Sequence, residues 1–254
     1  MSMGEISDAV TDESSGGALE LLLRVAGPCF FLWMQYSTFM TAQAISARKS
    51  VGSIPLLPFL SLFMNCIVWT FYGLLKDDMT VLVPNGLGVA TGGYCTYVYY
   101  TFSTPKQRQE SVKFARTSVA LFVLNTFLFL DSDAYHIGLI GCCLAVCLMG
   151  SPLSALQTVL ESASTESMPF ATSLAAFLNS LSWTAYGGFI SHDPMIYVPN
   201  LLGLAITSVQ MLLFAKYGIS SGIESGSGNS GRSGSVSSDA LSGMLAMPTM
   251  GSEA

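Results

Sequence analysis

Two tryptophans, each with an asparagine four residues before it and a tyrosine three residues after it, are the residues of this chain best equipped for recognition. The stretch Asn65-Cys-Ile-Val-Trp69-Thr-Phe-Tyr72-Gly73 returns as Asn179-Ser-Leu-Ser-Trp183-Thr-Ala-Tyr186-Gly187, five identities at identical spacing. A Pro-Phe pair precedes each copy (Pro58-Phe59 and Pro169-Phe170), and a Val-Pro-Asn-x-Leu-Gly motif follows each, placing Asn85 and Asn200 in equivalent positions. Three ordered motifs recurring at an offset of about 114 residues mark a duplicated unit. An indole face packs on C–H surface, and a carboxamide offers both a donor and an acceptor. Such a set suits a neutral ligand dense in hydroxyl groups, and a sugar ring is the obvious example. No nucleophile–base pair stands out, so no enzyme, cofactor or metal is expected. The six cysteines, Cys29, Cys66, Cys95, Cys142, Cys143 and Cys147, all lie in apolar stretches and read as small core residues.

The elements that must carry these residues follow from composition. The chain has 254 residues, 51% of them hydrophobic and only 10% charged. That is less than half the charge of an ordinary soluble domain. From Ala134 to Leu160 there is no charged side chain at all, a run longer than the ~20 residues that cross a bilayer. Apolar windows give seven spans: Leu21–Ile45, Ile54–Leu75, Thr80–Phe102, Val112–Leu130, Ala134–Leu156, Met168–Ile190 and Met195–Tyr217. The fold expected is an all-α integral membrane protein of seven helices, two parallel three-helix repeats joined by a linker helix. The divisions are an N-terminal segment 1–18, a first repeat 19–103, a linker 104–133, a second repeat 134–217 and a Gly/Ser-rich tail 218–254 read as disordered and cytosolic. The apolar Leu241–Met250 stretch within that tail reads as an incidental cluster.

Charge sets the sidedness. Arg48, Lys49, Lys106, Arg108, Lys113, Arg116, Lys216 and Arg232 fall on one side, and only Arg24 and Lys76 on the other. Cytoplasmic loops carry the basic excess, so the C-terminus is expected in the cytosol and the N-terminus outside or in a lumen. The plasma membrane is the expected location, with an internal membrane as the alternative. The net charge of −6 argues against a nucleic-acid partner. Lipid is the expected surroundings, and a homo-oligomer stays open. His136 and His192, at the outer boundary, read as interfacial.

Depth follows from the helical rise of about 1.5 Å per residue. Trp69, Asn85, Trp183 and Asn200 each lie about seven residues from an outer loop, about 10 Å below it and nearly level. Asn65 and Asn179 fall one turn farther in, and Tyr72 and Tyr186 one turn farther out, on the same faces. Singly, each tryptophan could belong to an interfacial belt and each asparagine could join helices; four at one level favour a pocket between the halves.

The 3+1+3 layout and the repeated motifs resemble the SWEET family of sugar transporters, over roughly Ala18–Tyr217. The resemblance implies a facilitative carrier that moves a mono- or disaccharide between alternately open faces, with Trp69, Trp183, Asn85 and Asn200 lining the sugar pocket. It implies an outer gate of Tyr72 with Asp193, to which Tyr186 is the repeat's counterpart. Asp78 reads as a solvated loop acid. It further implies a set of hinge prolines, here Pro58, Pro152 and Pro169, with Thr38 where the family usually has a fourth. Pro169 also suits a plain helix start. The middles of the spans carry no Asp, Glu, Lys or Arg, unlike ion-coupled carriers. That points to a neutral substrate moving down its gradient. An amino-acid carrier of similar design is the alternative, but it should hold a buried charge; a seven-helix receptor would need no duplicated half.

Overall fold

A computed structural model describes residues 3–219, with side chains from Gly17 onward except that of residue 151. The helices are α1 (Met3–Arg48), α2 (Leu57–Leu75), α3 (Met79–Phe102), α4 (Pro105–Leu130), α5 (Ala134–Leu148), α6 (Gly150–Ser162), α7 (Phe170–Ala185) and α8 (Pro194–Tyr217), with a π-helical turn at Tyr186–Ile190. No strand occurs among the described residues. Since α5 runs into α6 and α7 into the π turn, these form seven membrane-spanning segments. The tail beyond 219, with the Leu241–Met250 stretch and Arg232, lies outside the described residues.

Five segments are long and apolar enough to cross a membrane by composition alone: α1 from Gly17, α2, α4, α5 with α6, and α8. The other two fall short for local reasons. Helix α3 is diluted by Gly86, Gly88, Gly92, Gly93 and its tyrosines, which suit its central place. Helix α7 has 16 residues and reaches spanning length only with the π turn.

Several boundaries differ from the sequence reading, the largest at α1, which begins at Met3 rather than Leu21 and so takes in most of the segment read as separate. Helix α4 starts at Pro105 rather than Val112, because Thr104 and Gln107 form a capping box ahead of it. The fifth span does not run unbroken to Leu156. Its ladder is interrupted at Met149 and resumes to Ser162. The cause is Pro152, which has no N–H for the Leu148 carbonyl. Ala163, in the left-handed conformation at φ 51°, then ends α6. By contrast, α1 passes unbroken through Thr38.

The two halves pack as mirrored triplets. Helix α3 lies between α1 and α2, and α8 lies between α5 and α7; the halves meet where α1 touches α7 and α2 touches α5, with α4 against α2 and α5. Lipid tails are as apolar as Leu, so close approach at small residues, rather than apolar burial, holds such helices together. A Cβ on Gly73 would stand 2.9 Å from the Leu82 backbone nitrogen, and one on Gly187 2.7 Å from that of Tyr197. That is why glycine follows tyrosine in both motif copies. Outward, Phe127, Leu130, Leu181 and Phe189 are exposed, while Gln35, Asn85, Asn125 and Gln210 are buried. Large apolar side chains facing outward, with polar ones turned inward, suit a bilayer.

The copies also differ by one residue, since Gly187 to Asp193 is one longer than Gly73 to Asp78. The π turn absorbs it: the Ser191 N–H reaches back five residues to the Tyr186 carbonyl at 3.0 Å. After it, register is restored. Asp77 and His192 both adopt positive φ (52° and 50°), and the N–H groups of Asp78 and Asp193 bond the carbonyls of Gly73 and Gly187 at 2.9 Å.

Candidate functional site

Between the halves lies a cavity of about 270 Å³. Trp69, Asn85, Trp183, Asn200, Asn65 and Asn179 all line it, as do Pro152 and Met149 at the break of the fifth span. Thr38, Pro58, Pro169, Tyr72, Tyr186 and Asp193 are not part of this lining. No charged side chain or histidine is.

Each tryptophan is held in the same way. Trp69 packs edge-on against Tyr72 at 5.4 Å between centroids, and Trp183 against Tyr186 at 5.7 Å. The indoles also lie against glycines of the opposite half. A Cβ on Gly141 of α5 would be 3.0 Å from Trp69, and one on Gly27 of α1 3.0 Å from Trp183. Sequence reasoning missed these two glycines, although they share the repeat's offset.

The asparagines are pinned by their own helices. Asn85 Nδ2 donates to the Val81 carbonyl and Asn200 Nδ2 to the Ile196 carbonyl, both at 2.8 Å. This leaves one N–H and the carboxamide oxygen of each for a ligand. Asn179 Oδ1 is buried without a partner, and a buried unpaired acceptor is costly until a donor arrives. Proline sits one residue before each of Asn85 and Asn200. Pro199 frees the Met195 carbonyl, which accepts from Cys142 Sγ of α5 at 3.3 Å. Sequence reasoning took Cys142 as a plain core residue; here it secures the kink beside Asn200.

Beyond the pocket, toward the Asp78 and Asp193 end, two bonds tie the halves together. Tyr72 donates its hydroxyl to Asp193 Oδ2 at 2.6 Å. Tyr186 donates to both carboxylate oxygens of Asp78 at 2.8 Å. Asp78 is therefore not a solvated loop acid. It caps α3 by accepting from Thr80 and Val81 N–H and is held there facing the other half. Asp193, only 6% exposed, caps α8 in the same way and also pairs with Lys76 Nζ at 3.3 Å. Arg24 stands 5.9 Å from the Tyr186 ring centroid. Above these bonds a depression of about 430 Å³ is lined by Arg24, Lys76, Asp77 and Ser191 among others. His136 lies apart, its ring nitrogen 2.5 Å from Asp133. Bonds from His136 hold the Asp133 carboxyl below its ordinary range.

The prolines occupy ordinary helix-start positions in two cases. Pro58 is in the first turn of α2, and Pro169 is the N-cap of α7. Pro152 alone of the expected hinges borders both a helix break and the cavity. Among the described residues no group of three His, Cys, Asp or Glu side chains is placed to hold a metal ion.

The duplicated halves match a known family on their own. Residues 22–107 and 135–221 each match the family described as "Sugar efflux transporter for intercellular exchange", with most of α4 left between them. The chain belongs to the SWEET family. Its relatives include the "Bidirectional sugar transporter SWEET3" of Arabidopsis thaliana, 27% identical over 80% of this chain and 81% of the relative. The "Sugar transporter SWEET1" of Xenopus tropicalis is 30% identical over 76% of this chain and 92% of the relative; that of Rattus norvegicus is 29% identical over 80% and 93%. A solved eukaryotic SWEET transporter superposes with a TM-score of 0.66 at 28% identity, covering 78% of this chain and 96% of its own. The SWEET architecture, two three-helix bundles and one linker, accounts for the mirrored packing.

Proposed function

We propose that this SWEET protein is a facilitative, bidirectional sugar transporter that passes a neutral mono- or disaccharide across a membrane by alternating access of its two halves. One observation carries the reading: an uncharged cavity between the halves, edged by two indoles and four carboxamides, beneath hydrogen bonds that run from each half to the other. The names of the relatives point the same way.

In this reading the indoles of Trp69 and Trp183 hold the C–H faces of the sugar, and Asn85 and Asn200 exchange hydrogen bonds with its hydroxyls. Asn65 and Asn179 set the fit one turn farther in. The Tyr72–Asp193 and Tyr186–Asp78 bonds are the outer gate, so the state described is closed on that side. Pro152 gives the fifth span a flexible joint next to the cavity. Pro58 and Pro169 stand at helix starts, and Thr38 leaves α1 a stiffer strut. The eight-to-two basic bias supports a cytosolic C-terminus.

Uptake of labelled glucose, fructose and sucrose by proteoliposomes of the full chain tests the reading. Saturable uptake of at least one, matched by equal efflux from preloaded vesicles, is the expected result. No flux of any of the three would refute it.

A further inference from the structure

The cavity is lopsided, although the halves that enclose it are copies. On the first half it touches α3 only at Val81 and Asn85. On the second it follows α8 from Ile196 to Thr207, about 16 Å at the helical rise of 1.5 Å per residue.

Side chains at mirrored positions explain the difference. In the first half Gln35 of α1, 4% exposed, reaches across to donate to the Pro84 carbonyl at 3.4 Å. With Cys66 it fills the space beside Gly88, where a Cβ would meet Cys66 Sγ at 2.4 Å and Gln35 Nε2 at 2.8 Å. At the repeat's offset Gln35 becomes Met149, Cys66 becomes Ser180 and Gly92 becomes Thr207. Met149 also reaches the space beside Gly203, its Cε 3.5 Å from where a Cβ would be, but it sits at the break in the fifth span and leaves Ser180, Gly203 and Thr207 facing the cavity.

The space left open presents two hydroxyls. Ser180, 8% exposed, lines the cavity and makes no side-chain hydrogen bond among the described residues. Its Oγ lies 2.9 Å from where a Cβ on Gly203 would be, so the glycine makes room for it. Thr207, 4% exposed, donates to the Gly203 carbonyl at 2.8 Å and keeps its oxygen free to accept. The Ser180 hydroxyl, unpaired among the described residues and facing the cavity, can donate to and accept from an arriving sugar hydroxyl.

We propose that Ser180 and Thr207 form an inner station for sugar hydroxyls, present in the second half alone, through which substrate passes between the tryptophan level and the cytosolic mouth. The inference rests on the sugar-transporter reading. Passage is therefore asymmetric: sugar leaves along α7 and α8, while the mirrored route in the first half is plugged by Gln35 and Cys66.

The test uses the full chain in permeabilised vesicles with a water-soluble methanethiosulfonate, and locates the label by peptide mass spectrometry. The thiol introduced by Ser180→Cys should react while native Cys66 does not, and glucose or sucrose should slow that reaction. Adding Thr207→Val should raise the sugar concentration needed for this protection by ~three- to tenfold, the loss of one hydrogen bond. Equal labelling of both thiols, no labelling at Ser180→Cys, or protection indifferent to Thr207→Val would each overturn the station. Wild-type sugar flux with an unprotected Ser180→Cys thiol sinks the station only. Absence of wild-type flux sinks the sugar reading itself.

Discussion

The hydroxyl of Tyr186 meets both carboxylate oxygens of Asp78 at 2.8 Å, mirroring the bond from Tyr72 to Asp193. Each tyrosine belongs to one half and each acid to the other. Opening this end therefore requires both bonds to break together. The acids cannot turn aside, because each also caps the helix that carries it.

The first prediction follows from that pairing. Tyr72→Phe or Tyr186→Phe removes one hydrogen bond to a charged group, worth roughly 1.5–3 kcal/mol. Each single variant should raise the outward-open population by at least tenfold, and the double variant by about the product. The rate at which an external thiol reagent reaches Val81→Cys measures it. Tyr186→Phe behaving as wild type, beside a strong effect of Tyr72→Phe, would mean that only one of the mirrored bonds gates.

A second prediction separates glycines that touch from those that do not. Gly141→Ala would press a methyl group against the Trp69 ring, where the ideal Cβ lies 3.0 Å away. Sugar affinity should fall while the protein stays folded, since an indole can shift. Gly187→Ala drives a Cβ to 2.7 Å from a backbone nitrogen, and should lower the melting temperature in detergent. Gly86→Ala meets nothing within 4 Å and should leave stability unchanged or raise it by about 0.5–1 kcal/mol. Thermal melts of the three, ranked in any other order, would contradict the packing account.

Much of this was legible in the sequence because the repeat and the hydropathy are local signals. The Trp69 and Trp183 motifs, their level in the membrane and their companions Asn85 and Asn200 come directly from spacing along helices. What stayed hidden depends on contact between distant segments. Asp78 looks like any loop acid until Tyr186, 108 residues away, is brought over it. The repeat held the clue, since Asp78 answers to Asp193. Nothing local to the first span shows that Gln35 plugs the space beside Gly88. The break at Met149 was missed since Pro152 was read as a hinge within a continuous helix. Polar residues from Gln157 to Ser162 made the end of α6 look like a loop.

The third prediction concerns the pocket. Trp69→Ala, Trp183→Ala, Asn85→Ala and Asn200→Ala should each cut uptake by at least tenfold with normal amounts of folded protein, because an unpaired buried hydroxyl costs ~1–3 kcal/mol. Asn85→Asp is the sharper case. It keeps the shape but brings a charge into a cavity with none, and should be as damaging as alanine at neutral pH. Normal uptake by two well-expressed variants would make these residues structural.

The last prediction is that transport is uncoupled from protons and sodium. Indoles and carboxamides do not titrate near physiological pH, so such a pocket has no group to carry a proton across. A symporter must hold an ion within the membrane, and a bare charge there is expensive unless a partner is supplied. The nearest acids, Asp193 and Asp78, are engaged at one end of the bundle as helix caps and tyrosine acceptors, and Asp193 also pairs with Lys76. They can open and close without moving through the membrane. Counterflow in purified vesicles should proceed at equal pH and without sodium, and initial rates should ignore an imposed voltage. Sugar accumulating above its external level under a proton gradient would contradict this. Loss of that accumulation in Asp193→Asn, with counterflow retained, would then identify the carboxylate that carries the proton.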